Sequence, residues 1–83
     1  MTVTIIAKND YMGFYEKYEG VDYDMVEIKE IKSRKFKGVT TQEVRIDNGT
    51  KRHTRLFSSV FKQITIQDEE TGRYIWKYDR DAE

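Results

Sequence analysis

Apolar and polar positions alternate along most of this chain, and the places where the alternation fails are as informative as the runs themselves. "TVTIIA" (2–7) is a β-branched run that reads as a strand. Residues 60–67 and 73–79, joined by "DEETG", read as a hairpin. If Glu69 faces Arg73, then Ile66 faces Trp76 and Ile64 faces Tyr78 on one side, while Thr65 faces Lys77 on the other. One apolar and one polar side is the pattern of a half-buried antiparallel pair. Residues 23–36, 39–47 and 50–57 also read as strands. Ile31 is out of parity with Val26 and Ile28, which predicts a bulge near Lys29–Glu30. A turn, or a single helical turn, is expected over 57–61.

One stretch follows another period. In "NDYMGFYEKYEG", Tyr11, Phe14, Tyr15 and Tyr18 fall at i, i+3, i+4 and i+7, the spacing of one helical face. Asn9 or Asp10 is placed to cap such a helix and Gly20 to end it, so the pattern predicts a helix over 10–19. The expected fold is therefore α+β. One short N-terminal helix packs on a curved antiparallel sheet, or a small open barrel, of five to six strands. Residues 1–83 are read as a single domain with a frayed polar tail at 79–83.

Composition sharpens this picture in a few respects. Apolar residues make up 37% and charged residues 36%, a balance that leans toward disorder until the eleven aromatic side chains are counted. The expected core is thin and built from Tyr, Phe, Ile and Val. Cysteine is absent and histidine occurs once, which excludes disulfides and thiolate chemistry and leaves no ligand set for structural zinc. No apolar run approaches the ~18–20 residues of a membrane helix, and the N-terminus is charged too soon for a signal peptide. A cytoplasmic protein without membrane contact is expected.

The net charge of zero conceals a division. Residues 1–28 set two lysines against six acids. Residues 29–62 carry ten Lys/Arg against three acids, and residues 63–83 three against six. The middle of the chain is basic, and local potential governs partner choice more than net charge does. The basic hairpin "QEVRIDNGTKRHTRLF" (42–57) holds four Lys/Arg side chains and His53. A two-residue turn at Asn48–Gly49 sets Arg45 opposite Arg52; a three-residue turn sets Arg45 opposite Lys51 and Glu43 opposite His53. Either register leaves two cations facing each other, an arrangement that costs stability unless an anion relieves it. Lys29, Lys32, Arg34, Lys35 and Lys37 on the preceding strand are expected to widen this basic face.

These features define the candidate functions. The first is a non-enzymatic domain that holds RNA or single-stranded DNA, with Lys35, Lys37, Arg45, Lys51, Arg52, His53 and Arg55 on the phosphates and nearby rings available for stacking. The second is a small inhibitor or adaptor, of the kind a phage or mobile element encodes, that blocks a larger protein. Tyr11, Tyr15, Tyr18, Asp22 and Asp24 would form its contact surface, because tyrosine is favoured at binding hot spots. The third is a ribonuclease in which Glu43 and His53 act as an acid–base pair. The plainer reading of the basic face is a solvated surface that guards sheet edges from aggregation. No cofactor is expected and no metal site is assigned, since Asp22, Asp24 and Glu27 lack the spacing of a calcium loop. The five glycines read as turns and caps rather than a phosphate cradle, and Ser58 and Ser59 have no base near them in sequence.

Overall fold

The computed structural model describes residues 1–9, 13–32, 38–47, 49 and 53–81. Among these the chain is nearly all strand. It has β1 (Thr2–Lys8), β2 (Tyr15–Asp22), a single 3-10 turn (Tyr23–Met25), β3 (Val26–Lys32), β4 (Thr40–Asp47), β5 (His53–Phe57), β6 (Gln63–Asp68) and β7 (Tyr74–Asp79). They form two antiparallel sheets, one in the order β2-β1-β6-β7 and the other β3-β4-β5. The expected α+β fold, a helix packed on a sheet, is not found.

The segment expected to be a helix over 10–19 becomes β2 instead. Tyr15 pairs with Lys8, Glu16 with Ala7 and Tyr18 with Ile5, so Tyr15 and Tyr18 point to opposite faces rather than along one stripe. Two glycines carry the physical reason. Gly13 (φ 70°) lies in the left-handed region, where a helix cannot continue. Gly20 (φ 68°) sits in the bulge between the pairs Val3–Val21 and Ile5–Tyr18 rather than at a helix end. Aromatic residues also favour strands, so the i, i+3, i+4, i+7 spacing was coincidental here. Tyr11 lies outside the described residues.

Both sheets turn an apolar face to one shared core. Val3, Ile5 and Ala7 of β1, Val44 and Ile46 of β4, Leu56 of β5, Ile64 and Ile66 of β6, and Phe61 are all buried and belong to one cluster. Tyr18, Val21, Tyr23, Val26, Ile28, Ile75, Trp76 and Tyr78 pack around it. In β6–β7 the expected pairs form at Ile64–Tyr78, Thr65–Lys77 and Ile66–Trp76, but the register then slips by one, so that Gln67 pairs with Tyr74 and Asp68, not Glu69, meets Arg73. Strand β3 pairs with β4 without interruption from Val26 to Lys32, so the bulge expected near Lys29–Glu30 is absent and Ile31 simply faces outward, 38% exposed. Residues 58–60 form a turn, as anticipated for 57–61, closed by Phe61 N–H donating to the Phe57 carbonyl.

Polar contacts tie the strand ends together, and one of them, Arg80 to Ser58, joins the two sheets. Tyr23 N–H donates to the Met1 carbonyl and Glu69 N–H to that of Thr2, while Gly20 N–H donates to Glu69 Oε2 at 2.8 Å. At the other end Ser58 accepts from Gln42 N–H through its hydroxyl, and its carbonyl accepts from Arg80 Nη2 at 3.1 Å. Arg80 N–H also donates to the Lys62 carbonyl, which ties down residues expected to fray. Ala82 and Glu83 lie outside the described residues. Among those described, no helix is long and apolar enough to cross a membrane.

The packing predicts a contrast in stability. Ile66→Ala, at a fully buried position, should cost about 2–5 kcal/mol in urea unfolding, whereas Val60→Ala, at 56% exposure, should stay within about 0.5 kcal/mol. Equal losses at the two sites would contradict this core.

Candidate functional site

The outward face of β3-β4-β5 carries the described part of the basic hairpin. Its rungs read Asp47–His53, then Glu27–Arg45–Arg55, then Lys29–Glu43–Phe57. Neither expected register is adopted. A two-residue turn would have set Val44 opposite His53 and so turned Arg55, not Leu56, toward the core, which the burial of Leu56 forbids. The three-residue turn keeps that parity but does not bring Leu56 opposite Val44. The observed register does, and leaves five residues between Asp47 and His53. Asp47 Oδ1 accepts from Gly49 N–H at 2.9 Å and begins the turn.

As expected, two cations do face each other, but the pair is Arg45 and Arg55. Glu43 provides the relief. Its carboxylate is 3% exposed, lies on this outer face, and accepts from Arg55 Nε at 2.6 Å. The Arg55 guanidinium also stands over the Phe57 ring, 5.0 Å from its centre. The hydrogen bond from Arg55 holds Glu43 below the ordinary glutamate value. Burial opposes this, and the positive charges of Arg55, Lys29 and Arg45 assist it. Lys29 is paired with Glu27 at 3.4 Å, and His53 Nδ1 approaches Asp47 Oδ1 at 3.6 Å.

These rungs therefore set Lys29, Arg45 and Arg55 against Glu27, Glu43 and Asp47. Three cations and three anions make a neutral lattice, not a basic face. Lys35, Lys37, Lys51 and Arg52 lie outside the described residues, but the strands bounding them are described. The chain leaves β3 at Lys32 and re-enters β4 at Thr40, whereas it leaves β4 at Asp47 and re-enters β5 at His53. The expected surface several strands wide is not formed by the described residues.

The geometry required for an acid–base pair of Glu43 and His53 is also missing. Glu43 faces Phe57, and His53 faces Asp47, two rungs away. Among the described residues no group of three or more His, Asp or Glu side chains is placed to hold a metal ion. The alternative contact residues do not converge either. Tyr15 opens β2, Asp22 closes it with its carboxylate on Asp24 N–H, and Tyr18 turns inward to pack on the core.

A different surface stands out at the Tyr15 end. Phe14, Tyr15 and Val60 are 60%, 61% and 56% exposed. One depression is lined by Asn9, Phe14, Tyr15, Glu16, Val60 and Phe61, and a second, beside it, by Lys8, Asn9, Gly13, Phe14, Tyr15 and Lys62. Phe14 and Tyr15 border both. Tyr18 Oη donates to Glu16 Oε2 at 3.0 Å and fixes the carboxylate at the rim. Of these residues only Tyr15 is among the contact residues expected from the sequence; Phe14 reads there as part of a helical face and Val60 as part of a turn leading into a strand. Compared with protein-family models, curated proteins and solved structures, the chain matches none.

The buried carboxylate predicts an acid-sensitive term. Because its folded pKa is lowered, Glu43 contributes stability that is complete above the ordinary value of 4.5 and is lost as pH falls through the folded value. Glu43→Gln should therefore flatten the loss of stability below about pH 4.5. Near pH 7, Arg55→Met should destabilise the fold by stranding the carboxylate, and Glu43→Leu with Arg55→Met should cost less than Arg55→Met alone. An acid limb identical in Glu43→Gln and wild type would contradict the assignment.

Proposed function

We propose that this chain is a non-enzymatic interaction protein whose contact surface is formed by Phe14, Tyr15 and Val60. The observation that carries the reading is their convergence: three large apolar side chains, each more than half exposed, gather around depressions at one end of the molecule. Apolar residues scattered singly on a surface are ordinary, but a group that includes two aromatic rings is the composition of an interface centre. The adaptor or inhibitor reading is supported over nucleic-acid binding because the described hairpin face balances its own charge. Tyr15 keeps its assigned role, whereas Asp22 and Asp24 stand at the far end of β2.

Affinity capture of the tagged protein after nuclease treatment tests this reading. A stoichiometric protein partner should be retained by wild type and by Arg45→Glu, and lost from Phe14→Asp with Val60→Asp. Capture that survives the double substitution would sink the reading.

One observation favours a second reading. Arg45 and Arg55 stand opposite each other beside the half-buried Phe57 ring, and a nucleic-acid strand supplies both a phosphate for the cations and a base for the ring. Fluorescence anisotropy with single-stranded RNA and DNA at about 50 and 200 mM salt decides between them. The docking reading predicts no salt-sensitive micromolar binding; steep salt-dependent binding abolished by Arg45→Glu would transfer the function to the hairpin.

A further inference from the structure

The two depressions beside Phe14 and Tyr15 differ in charge. On one side the rim carries Glu16, with Val60 and Phe61 forming the apolar wall. On the other side the described lining residues include Lys8 and Lys62. The sheet geometry explains the division. Lys8 and Tyr15 share an outward-facing rung with Gln63, the neighbour of Lys62, whereas Glu16 shares the adjacent inward-facing rung with Ala7 and Ile64. The aromatic pair is thus a ridge with an anion on one flank and cations on the other.

We infer that the occupant of this surface is a second copy of the same chain, related by a two-fold axis along the ridge. This rests on the reading of the patch as a protein contact and names its partner. In a two-fold contact each surface meets itself reversed. The two ridges meet along the axis and the flanks exchange, so Glu16 of each copy faces Lys8 and Lys62 of its mate. A heterologous partner would have to supply both charges in the right order; a second copy carries them already. Glu16 is pre-oriented by the Tyr18 hydroxyl, so little side-chain freedom is lost on docking.

The size of the patch sets the strength. A stable interface removes about 800 Å² from each partner, roughly an eighth of the 6428 Å² this chain exposes. Phe14, Tyr15 and Val60 form only the centre of such an area, so the dimer is weak and concentration-dependent, with a dissociation constant on the order of 10–100 μM.

Sedimentation equilibrium of the purified full-length chain tests this. The apparent mass should rise from 10.0 kDa toward twice that value across the stated concentration range, and Phe14→Asp should remain at the monomer mass. Glu16→Lys alone, and Lys8→Glu with Lys62→Glu, should each weaken association about tenfold through like-charge contacts. An equimolar mixture of those two variants should restore it, because both charge contacts across the mixed dimer are then attractive. Circular dichroism melts of each variant confirm folding, and Val60→Asp provides a second apolar disruption at an exposed position. A wild type that stays monomeric to about 1 mM, far above the expected constant, overturns the inference. So does a dimer indifferent to Phe14→Asp, Val60→Asp and the charge swap. Monomeric wild type that still captures a different protein through the patch overturns the dimer alone and leaves the docking reading standing.

Discussion

Everything in this fold depends on burying the inward row of β1. Val3, Ile5 and Ala7 are completely inaccessible, although β1 has sheet neighbours only to its sides, β2 and β6. A strand face reaches zero exposure only when another layer covers it. The chain supplies that layer by leaving the first sheet after β2, building β3-β4-β5, and returning to lay β6 beside β1. Val44, Ile46 and Leu56 then meet Ile5, Ile64 and Ile66 in one cluster. A chain of this size buries only about 60–65% of its unfolded surface, so this single contact between layers carries most of the margin.

The same requirement governs the outer faces. With Val44 and Leu56 committed inward, Glu43, Arg45, Arg55 and Phe57 must point outward, and their order along the strands sets two arginines opposite each other. Glu43 becomes the point at which that repulsion is resolved, accepting from Arg55 Nε and paired across the strands with Phe57. A carboxylate in such a place is retained only while its donor is present. Part of the charge that looks like a ligand site along the chain is thereby turned to internal use, and the exposed apolar ridge of Phe14 and Tyr15 lies at one end of the other sheet.

Some of this was legible in the sequence. Alternation at Ile64, Ile66, Trp76 and Tyr78 located β6–β7 and the pairing of its apolar side, while the slip at Gln67 next to the turn has no signature in that alternation. β2 was not legible, since four aromatics happened to fall at helical spacing and a bulge glycine resembled a helix stop. The hairpin of β4–β5 was located but misregistered: the Asn-Gly signal suggested a shorter turn than the packing of Leu56 against Val44 allows. The ten basic residues of the middle segment could be counted, but the pairing of Arg55 with Glu43 depends on register, which a count does not contain. Phe14 and Val60 are exposed outside the strands and Tyr15 on the outward face at the start of β2, placements that have no signature in local pattern.

The central claim is that contact occurs at the ridge of Phe14 and Tyr15 and not on the hairpin face. Amide NMR spectra of the ¹⁵N-labelled protein over a concentration series locate the contact directly. The account predicts shifts and broadening gathered at residues 8–9, 13–16 and 60–62, with Arg45, His53 and Arg55 unmoved. Changes centred on β4 and β5, or spectra identical at every concentration, would contradict it.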